Sequence, residues 1–108
     1  MTQRQRLFDA LEKLPALYAT DGNVDPETRP AVFAYLPGHT AQWILWEYDP
    51  TDRRAFGLCD LGYPEIGYVD VDELATVRSQ YRLPVEVDDS MTVAAGYRMA
   101  GVTIPDWL

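Results

Sequence analysis

The chain has 108 residues, 47% hydrophobic and 24% charged, which fits one folded domain over residues 1–108 and excludes a disordered or low-complexity chain. Seventeen acidic residues against nine basic ones leave a net charge of −8. No basic patch interrupts that field, which argues against direct binding to a nucleic-acid backbone.

In chain order, Gln3 to Lys13 has helical spacing at Leu7, Phe8, Leu11 and Leu14, with Thr2 as N-cap and Pro15 as the stop. Ala16–Thr20 is a short apolar segment expected to pack on the sheet edge. Asp21–Pro30 (DGNVDPETRP) reads as a polar loop rich in turn formers. Ala31–Leu36 is the first expected strand, with Phe33 and Tyr35 on one face and Val32, Ala34 and Leu36 on the other.

The stretch Thr40–Asp60 (TAQWILWEYDPTDRRAFGLCD) reads as a hairpin. Its first strand is aromatic and β-branched, and apolar on both faces in the middle, as suits an inner strand. Asp49-Pro50-Thr51-Asp52-Arg53 supplies the turn. Placing Tyr48 opposite Arg54 puts Trp46 against Phe56, Leu45 against Gly57 and Ile44 against Leu58. Strict alternation then assigns Ile44, Trp46, Tyr48, Phe56 and Leu58 to a helix-covered core. Trp43 and Leu45 fall on the opposite face, over Ala55, Gly57 and Cys59. A ring lying over Gly57 would account for the mid-strand glycine.

Gly62-Tyr63-Pro64 marks a further turn, and Glu65–Val69 a fourth strand with Ile66 and Tyr68 on one face. Asp70-Val71-Asp72-Glu73 has the form of a capping box opening a second helix, with Val71, Leu74, Val77 and Tyr81 as its buried stripe and Leu83-Pro84 as its end. Pro84–Val87 is expected as a short edge strand. In the tail, Ser90 is expected to cap a helix over Met91–Met99 that Gly101 stops, with a strand at Thr92–Ala95 as the alternative. Short connections favour antiparallel neighbours. The expected fold is α+β: an antiparallel sheet of four to five strands, two main helices on one face and a short C-terminal helix.

Few residues carry chemistry. Cys59 and His39 are each the only one of their kind and would have to act as a pair. A lone cysteine excludes an internal disulfide framework and suits a reducing compartment. Asp21-Gly22-Asn23-Val24-Asp25 begins like a calcium loop, but Pro26 stands where glycine is needed and Val32 where the bidentate glutamate is needed, so an Asx-rich turn fits better. Asp70, Asp72 and Glu73 are explained as a helix cap with favourable charge in its first turn. No catalytic residue, metal site or cofactor is assigned. No run of about 18 apolar residues is present, and the start, MTQRQRLFD, lacks a signal-peptide core. The expectation is a cytoplasmic protein without a membrane partner.

The landmarks LPALYAT (residues 14–20), Phe56-Gly57-Leu58, Glu65-Ile66-Gly67-Tyr68, Asp72-Glu73-Leu74 and Leu83-Pro84-Val85-Glu86 resemble a small family of bacterial plasmids, phages and integrative elements, domain of unknown function 2958. The resemblance spans roughly residues 10–88; Cys59 and the tail after Asp88 depart from it. It implies a mobile-element setting and no enzyme activity.

The resulting expectation is a non-enzymatic inhibitor of a host defence complex, of anti-CRISPR or anti-restriction type. Its partner would be a basic protein or nucleoprotein complex whose nucleic-acid site the acidic surface masks. The expected contact residues are Trp43, Leu45, Glu47, Asp49, Asp52, Asp70, Asp72, Glu86, Asp88 and Asp89. The alternative is a small hydrolase or ligand-binding domain using Cys59, His39 or the Asp70–Glu73 carboxylates. A homodimer that closes an open sheet face on itself is a third reading.

Overall fold

The computed structural model describes residues 2–21 and 24–108. Gly22 and Asn23, the centre of the Asx-rich turn, lie outside the described residues. Helix α1 (Gln3–Leu11) begins with a complete capping box: Thr2 Oγ1 accepts from Gln5 N–H, and the Gln5 side chain accepts from Thr2 N–H. Five antiparallel strands follow: β1 (Pro30–Tyr35), β2 (Gln42–Asp49), β3 (Arg54–Asp60), β4 (Pro64–Asp70) and β5 (Glu86–Thr92). Their order across the sheet is β4-β3-β2-β1-β5. The final strand is longer than its sequence suggested and pairs with β1, as Tyr35 with Glu86 and Ala34 with Val87.

The hairpin forms, with one change of phase. Ile44 faces Leu58 and Leu45 faces Gly57, as alternation requires, but Glu47 then faces Phe56 and Tyr48 faces Ala55. Trp46 and Glu47 together oppose Phe56, which makes a β-bulge. The extra residue moves Tyr48 to the face of Trp43 and Leu45. On that face Leu7, Ala10 and Leu11 of α1 pack with Trp43, Leu45, Tyr48 and Ala55. The other face joins Ile44, Trp46 and Leu58 to Val93 and Tyr97. Both faces of the inner strand are therefore covered, and the open face expected over Trp43 and Leu45 does not exist.

The helices depart from expectation accordingly. Helix α2 is one turn, Val71–Leu74, capped by Asp70, which accepts from Glu73 N–H at 3.2 Å. Side-chain bonds to main-chain carbonyls and a new turn end it early. Thr76 Oγ1 donates to Glu73 C=O, and the Arg78 guanidinium donates to Ala75 and Val77 C=O. Ser79 Oγ then accepts from Tyr81 and Leu83 N–H in a turn where Arg82 has φ 64°. Tyr81, expected in a buried stripe, is 75% exposed. Two main helices on one face are thus not found. Helix α3 (Val93–Ala100) lies in the opposite cluster, capped by Thr92 rather than Ser90 and stopped by Gly101 at φ 72°.

Candidate functional site

The expected contact residues divide sharply once folded. Trp43 and Leu45 are buried under α1 and the α2 turn, so they are core rather than contact surface. Glu47 is also buried. Its carboxyl accepts Tyr18 N–H and Thr20 N–H, both at 2.9 Å, and the Thr20 hydroxyl. Those three donors satisfy a group that would otherwise be costly to bury. The bond to Tyr18 holds a residue of left-handed backbone, φ 69°, whose ring stands 61% exposed. Glu47 therefore works from beneath, fixing the loop that displays Tyr18.

Four acidic candidates meet at one end of the sheet. Asp49 pairs with Arg54 across β2 and β3, and Arg54 with Asp70 across β3 and β4. Asp52 is exposed in the intervening turn. Asp72 accepts from Arg53 at 3.0 Å and lies 3.8 Å from Arg4, with the groups about half exposed. Such pairs contribute little to stability. The other three candidates sit on β5, at the opposite edge. Glu86 accepts from Gln3 Nε2 at 2.9 Å, and Asp89 lies 3.5 Å from Lys13 Nζ. Asp88 accepts from the Ser90 hydroxyl and N–H, which hold its carboxyl below the usual range. The acidic residues thus form two groups rather than one surface.

Beside the first group, exposed aromatic rings accumulate on the β4 side. Tyr18 meets Tyr68 edge-on at 6.3 Å between ring centres, and Tyr68 meets Phe56 at 5.3 Å. The Arg54 guanidinium lies over the Tyr68 ring at 5.4 Å. The Tyr68 hydroxyl is raised above its ordinary pKa by its bond to Tyr18, then by desolvation and the Tyr18 charge. Tyr63, in the β3–β4 turn, is 75% exposed.

On the α1 face, next to β4, an open cleft of about 470 Å³ is lined by Trp43, Cys59, Glu65, Gly67, Leu74 and Val77 among others. His39, Asp70 and Glu73 also border it, so the residues of the alternative enzymatic reading share one cavity. Their chemistry is modest. Burial pushes the Cys59 thiol up, opposed by the Trp43 indole and reinforced by Glu65 and Asp60, so the nucleophilic thiolate is disfavoured. His39 Nδ1 accepts from Ala41 N–H at 3.0 Å. Asp70 is engaged as the helix cap. Among the described residues no group of three or more His, Cys, Asp or Glu is disposed to hold a metal ion.

Sequence reasoning passed over Glu65, Gly67 and Val77. A signal was present in Gly67, a glycine inside a strand pattern. Unlike Gly57, whose added Cβ would strike Ile44 O at 2.0 Å, Gly67 has open space where a Cβ would stand. Its φ is not positive. Neither packing nor backbone geometry demands glycine there, and the missing side chain widens the cleft.

A five-stranded antiparallel sheet with three helices among the described residues, an acid-bordered cleft beside its β4 edge and exposed tyrosines around it define a small α+β protein. The chain belongs to the family described as Protein of unknown function (DUF2958), whose model matches residues 2–98. The match runs past Asp88 and takes in β5 and most of α3, so the tail belongs to the pattern further than its sequence suggested. No curated protein and no solved structure matches the chain. No helix among the described residues is long and apolar enough to cross a membrane.

Proposed function

We propose that this protein is a non-enzymatic accessory protein of a mobile element that inhibits a host defence complex, of CRISPR or restriction type, in the cytoplasm. The observation that supports this most is the line of Asp49, Asp52, Asp70 and Asp72 at one end of the sheet, with exposed Tyr18 and Tyr68 beside it. On a chain of net charge −8, this end suits a basic nucleic-acid channel, with aromatic contacts adding affinity. Trp43, Leu45 and Glu47 contribute from the interior, by holding the strands and the Tyr18 loop. The β5 carboxylates form a secondary acidic edge.

The test is cleavage of target DNA by a purified defence nuclease, with the protein added at rising salt. Inhibition should weaken as salt screens the charges and should fall by about tenfold or more in an Asp49→Asn/Asp52→Asn double variant. Inhibition indifferent to both salt and the double variant rejects masking by charge.

A second reading is favoured by the shared cleft of Cys59, His39, Asp70 and Glu73: a small hydrolase or ligand-binding domain. Under that reading Cys59→Ala abolishes turnover of a cleft-bound ester or amide. Under the first, it leaves inhibition intact.

A further inference from the structure

Strand β4 ends the sheet, and its ladder with β3 runs from Arg54–Asp70 to Asp60–Pro64 without a shift. One step beyond, Val71 N–H donates to Arg53 C=O at 2.9 Å. In an antiparallel pair, hydrogen-bonded and non-bonded positions alternate. Val69, Gly67 and Glu65 therefore turn their main-chain groups toward β3, and Ile66 and Tyr68 turn theirs outward. Among the described residues no main-chain group from another segment meets Ile66 or Tyr68. A bare edge of this kind is a template for another strand unless it is guarded. Pro64 and Glu65 guard only its start, and no lysine or other charge interrupts Ile66–Val69.

The surroundings select the occupant. The cleft beside the edge carries Glu65, Asp70 and Glu73 and no Lys or Arg. Of the neighbouring cations, Arg54 lies over the Tyr68 ring and the Arg78 guanidinium is bound to the Ala75 and Val77 carbonyls. Gly67 leaves room in the cleft floor for a side chain reaching in from a neighbouring strand.

We propose that the free edge of β4 takes up an extended, basic segment of a partner protein as a sixth strand. Main-chain bonds to Ile66 and Tyr68 supply affinity. A cationic side chain faces Glu65 and Glu73, and an apolar one enters the space over Gly67. A second copy of this chain is a poorer occupant, because each copy brings a charge of −8. The inference rests on the protein-binding reading above and adds the mode of contact.

The probe is a capped octapeptide in which lysine and valine alternate along one face with threonine between them (Thr-Lys-Thr-Val-Thr-Lys-Thr-Val), so that one face offers a cation to Glu65 and an apolar side chain to Gly67. Two controls accompany it: the same peptide with glutamate for lysine, and the same peptide N-methylated on alternate residues, which keeps charge and removes strand bonding. Binding is followed by titration, and hydrogen exchange of the Ile66 and Tyr68 amides is read alongside. Both amides should gain protection, and both controls should bind at least about tenfold more weakly. Ile66→Pro, which removes an outward N–H and no bond to β3, should weaken the lysine peptide by about tenfold while the Gly67 and Val69 amides keep their exchange protection. Equal binding of the N-methylated peptide, absent binding of the lysine peptide, or concentration-dependent protection of these amides in the protein alone would each overturn strand addition, the last in favour of self-pairing. A chain that still inhibits a defence nuclease equally well as Ile66→Pro overturns this inference and leaves the charge-masking reading standing. Loss of salt-sensitive inhibition alone does the reverse.

Discussion

Glu47 is tied to Thr20 twice: one carboxyl oxygen accepts both the Thr20 N–H, at 2.9 Å, and the Thr20 hydroxyl, while its other oxygen accepts from Tyr18 N–H. A single interior side chain thereby holds three donors of a loop that has no strand of its own.

Replacing Glu47 with Gln leaves one acceptor oxygen where there were two and sets an NH₂ against a donor. The expected loss is about 2–3 kcal/mol, because a buried donor is left without a partner. Chemical denaturation measures it, and the Tyr18 and Thr20 amides should lose exchange protection before the sheet does. Unaltered protection of both amides would mean that the loop is held by other contacts.

The two glycines of the β3–β4 ladder should respond oppositely. Gly57→Ala drives a Cβ into Ile44 O and Leu45 Cα, at 2.0 and 2.8 Å before relaxation, and should destabilise by at least about 3 kcal/mol. Gly67→Ala meets nothing within 4 Å and should be neutral or stabilising by up to about 1 kcal/mol, since alanine loses less backbone entropy in a strand. Melting temperatures of the two variants make the comparison. The same Gly67→Ala change narrows the cleft, so it separates stability from binding.

Tyr97 is fully buried, and its hydroxyl has no hydrogen-bond partner. Burial pushes it up to about 12. The folded protein therefore keeps a proton that the unfolded chain sheds near the ordinary value of 10.0. Its contribution is fully present below pH 10 and is lost as pH rises toward about 12. Tyr97→Phe should remove that alkaline loss and, by removing an unsatisfied group, be neutral or stabilising by about 1 kcal/mol at neutral pH. Stability measured across alkaline pH in both proteins decides it.

Asp88 gives the acid counterpart. The Ser90 bonds depress its folded pKa below 3.8, so its contribution is present above that value and is lost as pH falls through the depressed one. Ser90→Ala removes the hydroxyl bond, and the Asp88 titration should move up toward the ordinary carboxylate range in a carbon-detected NMR titration. An unmoved titration would assign the depression to the main-chain bond alone.

Much of the fold was legible. The Thr2 and Asp70 caps, the face division of Val32, Phe33, Ala34 and Tyr35, and the Ile44–Leu58 and Leu45–Gly57 pairs all follow from local chemistry and period two. The length of α2 did not, because Thr76, Arg78 and Ser79 bond main-chain groups that a longer helix would use. The bulge was illegible for a different reason: Trp46-Glu47 carries no turn residue, and aromatic residues suit either side of a sheet covered on both faces. That one step misplaced Tyr48. The assumption that helices cover only one face misplaced Trp43 and Leu45. The edge of β4 was half legible, in Gly67, but its bareness depends on where Tyr81 and the rest of the residue 75–85 segment run, which no local rule sets.

The bulge at Trp46 acts as a reading frame. Downstream of it, which residues of β2 see α1 and which see α3 is set by a count rather than by composition. Deleting Trp46 would restore plain alternation with Glu47 still opposite Phe56 and Tyr48 still opposite Ala55. Flattening the bulge with Trp46 retained would instead carry Tyr48 to the α3 side and turn Glu47 toward α1, away from Thr20. Comparison of relatives by residue type alone would miss this. A relative of equal length without the bulge must interchange the characters of its last two interior positions to enclose the same interior, whereas one shortened by the bulge residue keeps them, and that contrast is the signature by which the frame can be found in other members of the family.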